Sequence, residues 1–236
     1  LRTLQGDALD FYPEPGTAAA THFNNFGSGQ KFVFPAESSA CNAVTLHPHL
    51  LQAVADLLGV SPCDLRLTQS DLWPKYGNGD SDDALDNTDQ RIHCDYPNHS
   101  LVHPPEWDNP EAVEIIIYLN DYDECEGATA VVPRDGQSDP AYPWPIVQTP
   151  GVAGLDYVND RDKAEAYMAE HNPAAADFRE KHLYARELVA EYKFGSVLFY
   201  RHDTWHRGRP VKANALRLVQ NLTFTKIGCD WLNVLH

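Results

Sequence analysis

Residues 215–225, Ala-Leu-Arg-Leu-Val-Gln-Asn-Leu-Thr-Phe-Thr, constrain the fold more than any other stretch of this chain. Side chains of a strand alternate between its two faces. Leu216, Leu218, Leu222 and Phe224 therefore share a face suited to packing outward against helices. Arg217, Val219, Asn221 and Thr223 share the other, which suits the wall of a cavity. A buried arginine needs an anion, and its planar fork matches a carboxylate bidentately.

Further strands are expected at 64–73, around 91–94, and at 113–119, 129–132, 193–199 and 206–211. Many short strands predict a mainly β fold with flanking helices, a double-stranded β-helix or jelly-roll, cupin-like barrel. The first forty residues, with Pro13, Pro15, Gly16, Gly27 and Gly29, read mostly as irregular. Residues 48–58 read as an amphipathic helix through Leu50, Leu51, Val54, Leu57 and Leu58, covering the barrel. The interval 137–192 is too long for a turn and is expected to be a helical insertion, with helices near 160–170 and 174–190 and a role as substrate cover. The acidic stretch 77–90, with Asp80, Asp82, Asp83, Asp86 and Asp89, lacks EF-hand spacing and reads as a solvated loop. Residues 97–110 could form part of a lid. A chain of 236 residues, 43% hydrophobic, suits one domain over 1–236.

His93 and Asp95 sit two apart, so on a strand both project from one face while Cys94 points away. His206, far downstream, would complete a two-histidine, one-carboxylate facial set that leaves open positions on Fe(II) for a bidentate cosubstrate and for O2. Arg217 follows His206 by eleven residues. It is a fitting anchor for the free carboxylate of 2-oxoglutarate, whose other end chelates iron. His202 competes with His206, but His206 has the better spacing to Arg217. His47 and His49 flank Pro48 at a helix start and read as surface or capping residues; His99 and His103 read as loop residues. Trp205 is expected to pack on the side of its strand opposite His206, and Tyr118 either to border the cosubstrate or to sit in the core.

The order strand, His-x-Asp, long interval, His, about ten residues, Arg resembles the phytanoyl-CoA dioxygenase-like (PhyH) family of Fe(II)/2-oxoglutarate oxygenases, over roughly residues 65–225. Three flanking stretches carry the likeness further: Gln-Ser-Asp-Leu-Trp-Pro-Lys-Tyr-Gly at 69–77, Glu-Gly-Ala-Thr-Ala-Val-Val-Pro at 126–133, and Phe-Gly-Ser-Val-Leu-Phe at 194–199. The resemblance implies that Lys75 lies on 2-oxoglutarate and that Gln69 touches substrate. The chain departs from the family where Arg134-Asp135-Gly136 replaces a Gly-Ser-His turn, and where Gly208 stands in place of a hydroxyl residue, removing one hydrogen bond to 2-oxoglutarate. Related halogenases carry a small residue where this chain has Asp95, so hydroxylation or another oxidation such as desaturation is expected rather than chlorination.

A net charge of −16 disfavours nucleic acid, anionic lipid surfaces and a polyanionic CoA thioester, and points to a neutral or cationic small-molecule substrate. No apolar run approaches the roughly 18 residues of a membrane span, and the start lacks a signal pattern. Residue 1 is Leu rather than Met, so an upstream segment could have been processed. Five cysteines, Cys41, Cys63, Cys94, Cys125 and Cys229, without Cys-x-x-Cys spacing, suggest reduced thiols and a cytoplasmic setting. Two alternatives remain at this stage. One is a non-catalytic ligand- or metal-binding barrel of the same fold. The other is a zinc hydrolase using the same three ligands.

Overall fold

The computed structural model describes residues 1–23, 29–77, 87–95, 106–141 and 158–229. Two antiparallel sheets face each other. The larger contains β1 (Leu65–Tyr76), β2 (Ala112–Tyr118), β5 (Val197–Arg201) and β7 (Leu216–Lys226), in the order β1-β7-β2-β5. The smaller contains β3 (Thr129–Val131), β4 (Leu188–Val189) and β6 (His206–Gly208), in the order β4-β3-β6. Residues Gln90 and His93 add to the outer side of β6 through backbone bonds to Gly208 and His206. The expected strand at 91–94 is thus present only as bridges.

Register sorts the large sheet into two faces, because directly opposed residues point the same way. On one face lie Phe224 opposite Leu67 and Val113, Leu222 opposite Ser70 and Ile115, and Leu218 opposite Pro74. This face packs under α1 (Arg2–Phe11), α2 (Ser39–Thr45) and α3 (Pro48–Leu58), whose Leu4, Ala8, Cys41, Leu50, Val54 and Leu58 complete the larger core. The chain stops α3 where expected: proline opens its first turn, and Gly59, at φ 67°, takes the left-handed cap that other residues resist. Gln220 also points outward and is fully buried; its amide nitrogen donates to the Thr45 hydroxyl (2.9 Å), while its Oε1 has no hydrogen-bond partner among the described residues.

The other face of the large sheet turns to the small sheet. Its rows run Lys75–Arg217, Trp73–Val219–Tyr118, Asp71–Asn221–Ile116–Leu198 and Gln69–Thr223–Glu114–Tyr200. Contacts across the gap include the Tyr118 hydroxyl on Thr129 Oγ1 (3.1 Å) and a second core of Ile116, Tyr118, Ala128, Tyr192, Val211 and Val219. Tyr118 stacks on Tyr192 at 3.9 Å between ring centroids, the core role of its two expected ones.

Three expectations need correction. The first forty residues carry more helix than expected, since α1, two 3-10 turns (Ala20–His22 and Gly29–Lys31) and the start of α2 lie there. The second insertion helix ends early: after the short α4 (Tyr122–Cys125) between β2 and β3, α5 (Arg161–His171) matches, but α6 (Pro173–His182) gives way to a 3-10 turn at Tyr184–Arg186 and then to β4. Residues 193–196 form a turn rather than strand. Most of the acidic loop (78–86) and of the 97–110 lid stretch, including His99 and His103, lies outside the described residues, as does 142–157 of the insertion. No helix among the described residues is long and apolar enough to cross a membrane, and all five cysteines are free.

Leu222, fully buried on the outward face, and Leu57, 51% exposed on α3, make a matched test of this packing. Leu222→Ala is expected to lose about 2–5 kcal/mol in urea unfolding. Leu57→Ala is expected to stay within about 0.5 kcal/mol of the parent.

Candidate metal centre

His93 and His206 are joined backbone to backbone: His93 N–H donates to the His206 carbonyl (2.9 Å), and His206 N–H to that of His93 (2.8 Å). Such a pair puts both side chains on one face, and the rings lie 4.5 Å apart, centroid to centroid. Each ring is oriented by its own chain. His93 Nδ1 lies 3.0 Å from the Arg91 carbonyl, and His206 Nδ1 lies 3.0 Å from that of Thr204. A proton held there makes Nε2 the lone-pair nitrogen in both rings. Asp95 closes the group, with Oδ2 3.2 Å from His206 Nε2 and Oδ1 3.6 Å from His93 Nε2. Ligand atoms from the three residues all lie within 4.8 Å of one another. His93 and Asp95 keep 23% and 20% side-chain exposure, so the group is open on one side.

The electrostatics suit a cation. Burial, with His206 beside it, pushes the His93 imidazole down to about 4, so it is neutral at pH 7 and able to ligate. Burial alone would raise Asp95, but the His206 imidazole against it, then His93, hold its carboxyl well below the usual carboxylate range. Burial alone would lower His206, and the Asp95 carboxylate overrides it, leaving the ring above its ordinary value. Two imidazole nitrogens and one carboxylate oxygen are a donor set that fits Fe(II), and the same set serves zinc.

The segment behind these ligands is held by residues that pattern reading passed over. Arg134, counted in the sequence as a departure within a turn, is a buried clamp. Its guanidinium grips both carboxylate oxygens of Asp203 (2.9 and 3.1 Å), the Asp203 carbonyl (3.0 Å) and Thr204 Oγ1 (3.2 Å). Cys94, between the two motif ligands, reaches the same Asp203 carbonyl with its thiol (3.4 Å). One arginine thus ties the turn before His206, and through it the His-Cys-Asp stretch. From the insertion, Arg179 bonds Glu165 and the Ile92 carbonyl (3.0 Å), while the Tyr184 hydroxyl accepts from Ile92 N–H (3.0 Å). The described part of the insertion buttresses the motif from outside; Ile92, Leu183, Tyr184 and Trp205 form one core there, so Trp205 does pack away from His206.

Arg217 lies on the inward face, 7% exposed. It donates to the Gly127 carbonyl, and its Nε has no hydrogen-bond partner among the described residues. No described carboxylate pairs with it. Lys75 stands directly opposite it in the sheet, but two of its ammonium protons go to the carbonyls of Arg209 (2.9 Å) and Thr88 (3.3 Å). Gln69 faces inward in the row of Glu114 and Tyr200, its amide on Asp71 (3.1 Å). His202 is not in the ligand group: it pairs with Glu114, whose other oxygen takes the Thr223 hydroxyl (2.7 Å). Tyr200 stands 4.8 Å from His206, ring to ring. Glu114 and Tyr200 alternate inward on strands that were legible, but no motif marked them. His47 and His49 are exposed, as expected.

Burial alone would raise Asp203, but Arg134 and then Arg201 outweigh it and hold the carboxyl below its ordinary range. A depressed folded-state pKa contributes stability above the ordinary Asp value, about 3.9, that is lost as pH falls below it. Asp203→Asn is therefore expected to lose about 3 kcal/mol at pH 7. The gap to the parent should narrow below about pH 4. Urea melts at both pH values check this, and a gap that does not shrink in acid would exclude the carboxylate charge as its source.

Comparison with known proteins gives the same direction. The family model described as phytanoyl-CoA dioxygenase (PhyH) matches residues 5–219. No curated protein matches the sequence. Among solved structures, EvdO2 from Micromonospora carbonacea var. aurantiaca complexed with 2-oxoglutarate is similar at 12% identity and TM-score 0.56, covering 98% of this chain and 84% of its own. The apo form of the non-heme monooxygenase ThoJ is similar at 14% and 0.52, covering 95% and 65%. AviO1 from Streptomyces viridochromogenes Tue57 is similar at 12% and 0.51, covering 82% and 64%. This chain thus spans less than two thirds of the length of the last two. The match over residues 5–219 places the chain in the phytanoyl-CoA dioxygenase family, and the expected Fe(II) and 2-oxoglutarate are that family's cofactors.

Proposed function

We propose that this protein is an Fe(II)/2-oxoglutarate-dependent dioxygenase that oxidises, by hydroxylation, a neutral or cationic small molecule. The observation that carries this reading is the convergence of His93, Asp95 and His206 on one point from two distant segments. The chain's path supports a double-stranded β-helix in a single domain. It passes from the large sheet (β1) to the small one (90–93), back (β2), across (β3, β4), back (β5), across (β6) and back (β7), as a jelly roll does.

In this reading His93 Nε2, His206 Nε2 and Asp95 hold the iron, while the Arg91 and Thr204 carbonyls fix both rings. Iron so held supplies the oxidation: 2-oxoglutarate and O2 become succinate and CO2, and the second oxygen atom goes to substrate. Arg217, buried and without a carboxylate of its own among the described residues, takes the distal carboxylate, with Lys75 adding positive charge from the facing strand. Gln69, in the row that ends at Tyr200 beside His206, faces substrate. The apolar second core keeps water from the inner end of the site. None of these residues has to act as a general acid or base. Asp95 occupies the side from which a halide would have to bind, which favours oxygenation. The net charge of −16 argues against nucleic acid and membrane-surface partners.

Anaerobic addition of Fe(II) and 2-oxoglutarate is expected to give the weak visible charge-transfer band of the chelate, and aerobic turnover to release succinate. His206→Ala should abolish both; an unchanged band would remove His206 from the ligand set. Hydrolytic activity without oxygen would favour zinc instead, and cosubstrate binding with no succinate under any condition would favour a non-catalytic barrel.

A further inference from the structure

Gly208 shares the inward face of β6 with His206, two residues away, and does not leave that position open. A Cβ on Gly208 would lie 2.7 Å from Gln90 Oε1 and 3.8 Å from Gln90 Nε2. The Gln90 side chain, reaching across from the neighbouring segment, fills the place where a residue 208 side chain would stand. Its orientation is set at one end: Oε1 accepts from Gly208 N–H (2.8 Å), and Gln90 N–H donates to the Gly208 carbonyl (3.0 Å). The amide nitrogen is left with two protons and no acceptor among the described residues.

The surroundings are short of an anion. Arg217 buries its Nε without a hydrogen-bond partner among the described residues, and Thr88, two residues before Gln90, buries its hydroxyl in the same condition. Lys75, across the sheet from Arg217, reaches the carbonyls of Thr88, two residues before Gln90, and of Arg209, next to Gly208. Lys75 therefore brings the Arg217 end of the large sheet against the Gln90–Gly208 pair. Buried polar hydrogens are rarely left unsatisfied, and a guanidinium Nε–H and a hydroxyl so placed, with the free amide of Gln90 in the adjoining segment, suit a carboxylate.

We propose that the Gln90 amide Nε2 is a direct hydrogen-bond donor to the distal carboxylate of 2-oxoglutarate, acting with Arg217, in the place that the absent side chain of Gly208 leaves. This rests on the proposed function, and deepens it by assigning the cosubstrate pocket a residue contributed by the segment that leads into His93.

The test is binding, read without turnover. Fe(II)-loaded parent, Gln90→Glu and Gln90→Ala are titrated anaerobically with 2-oxoglutarate and with 2-oxobutanoate, which has the chelating end but no distal carboxylate. Gln90→Glu keeps the acceptor for Gly208 N–H and replaces the donor with a like charge, so its affinity for 2-oxoglutarate should fall about 100-fold; Gln90→Ala should lose about 10-fold. Affinity for 2-oxobutanoate and for Fe(II) should stay within about twofold of the parent in both variants. Unchanged 2-oxoglutarate affinity in Gln90→Glu would overturn the assignment, as would an equal loss for both oxo acids. If the parent itself binds no 2-oxoglutarate, the proposed function fails first, and the two failures are thereby distinguished.

Discussion

The reciprocal pair of backbone hydrogen bonds between His93 and His206 is the joint on which the site depends. It fixes the distance and the facing of two imidazoles that are more than a hundred residues apart in the chain. Because each ring is then tied through Nδ1 to a carbonyl two residues upstream, little rotational freedom remains in either. The geometry of this candidate ligand set is a property of backbone pairing, with side-chain entropy largely lost at folding.

Buried charge explains much of what surrounds that joint. Arg134, Arg179 and Arg207 are all buried in or against the small sheet, and each faces protein carboxylates: Asp203, Glu165, and Glu187 with Asp89. An uncompensated ion in such a place would be costly, and the pairing removes the cost while pinning the segments that carry the ligands. Arg217 breaks the pattern on the large sheet. It faces a carbonyl rather than a carboxylate among the described residues, which is why the proposed function gives it the distal carboxylate of the cosubstrate.

Pattern reading reached the elements whose apolar residues recur with the period of a strand or a helix. The strand around Arg217, the strand from Leu65 and the helix from Pro48 each bury a regular stripe, and their periodicity survives in the chain. It failed where burial rests on few contacts. Helix α1 buries only Leu4 and Ala8 and carries Gly6 between them, too weak a stripe to detect. The end of α6 was lost for a different reason: the chain leaves α-helical geometry at Leu183, and the Tyr184 hydroxyl just beyond serves Glu165 and Ile92, partners remote in sequence.

By itself the sequence determined which residues are chemically able to ligate and which faces they occupy, since alternation along a strand is local and places His93 with Asp95 and Arg217 opposite the greasy side. Only the tertiary structure decided that Arg134 and Cys94 share the Asp203 carbonyl, that Glu114 holds His202, and that Gln90 fills the space beside Gly208. Those contacts join segments with no periodic relation to one another. They follow from how two sheets close on each other, and short-range order along a chain carries no record of that.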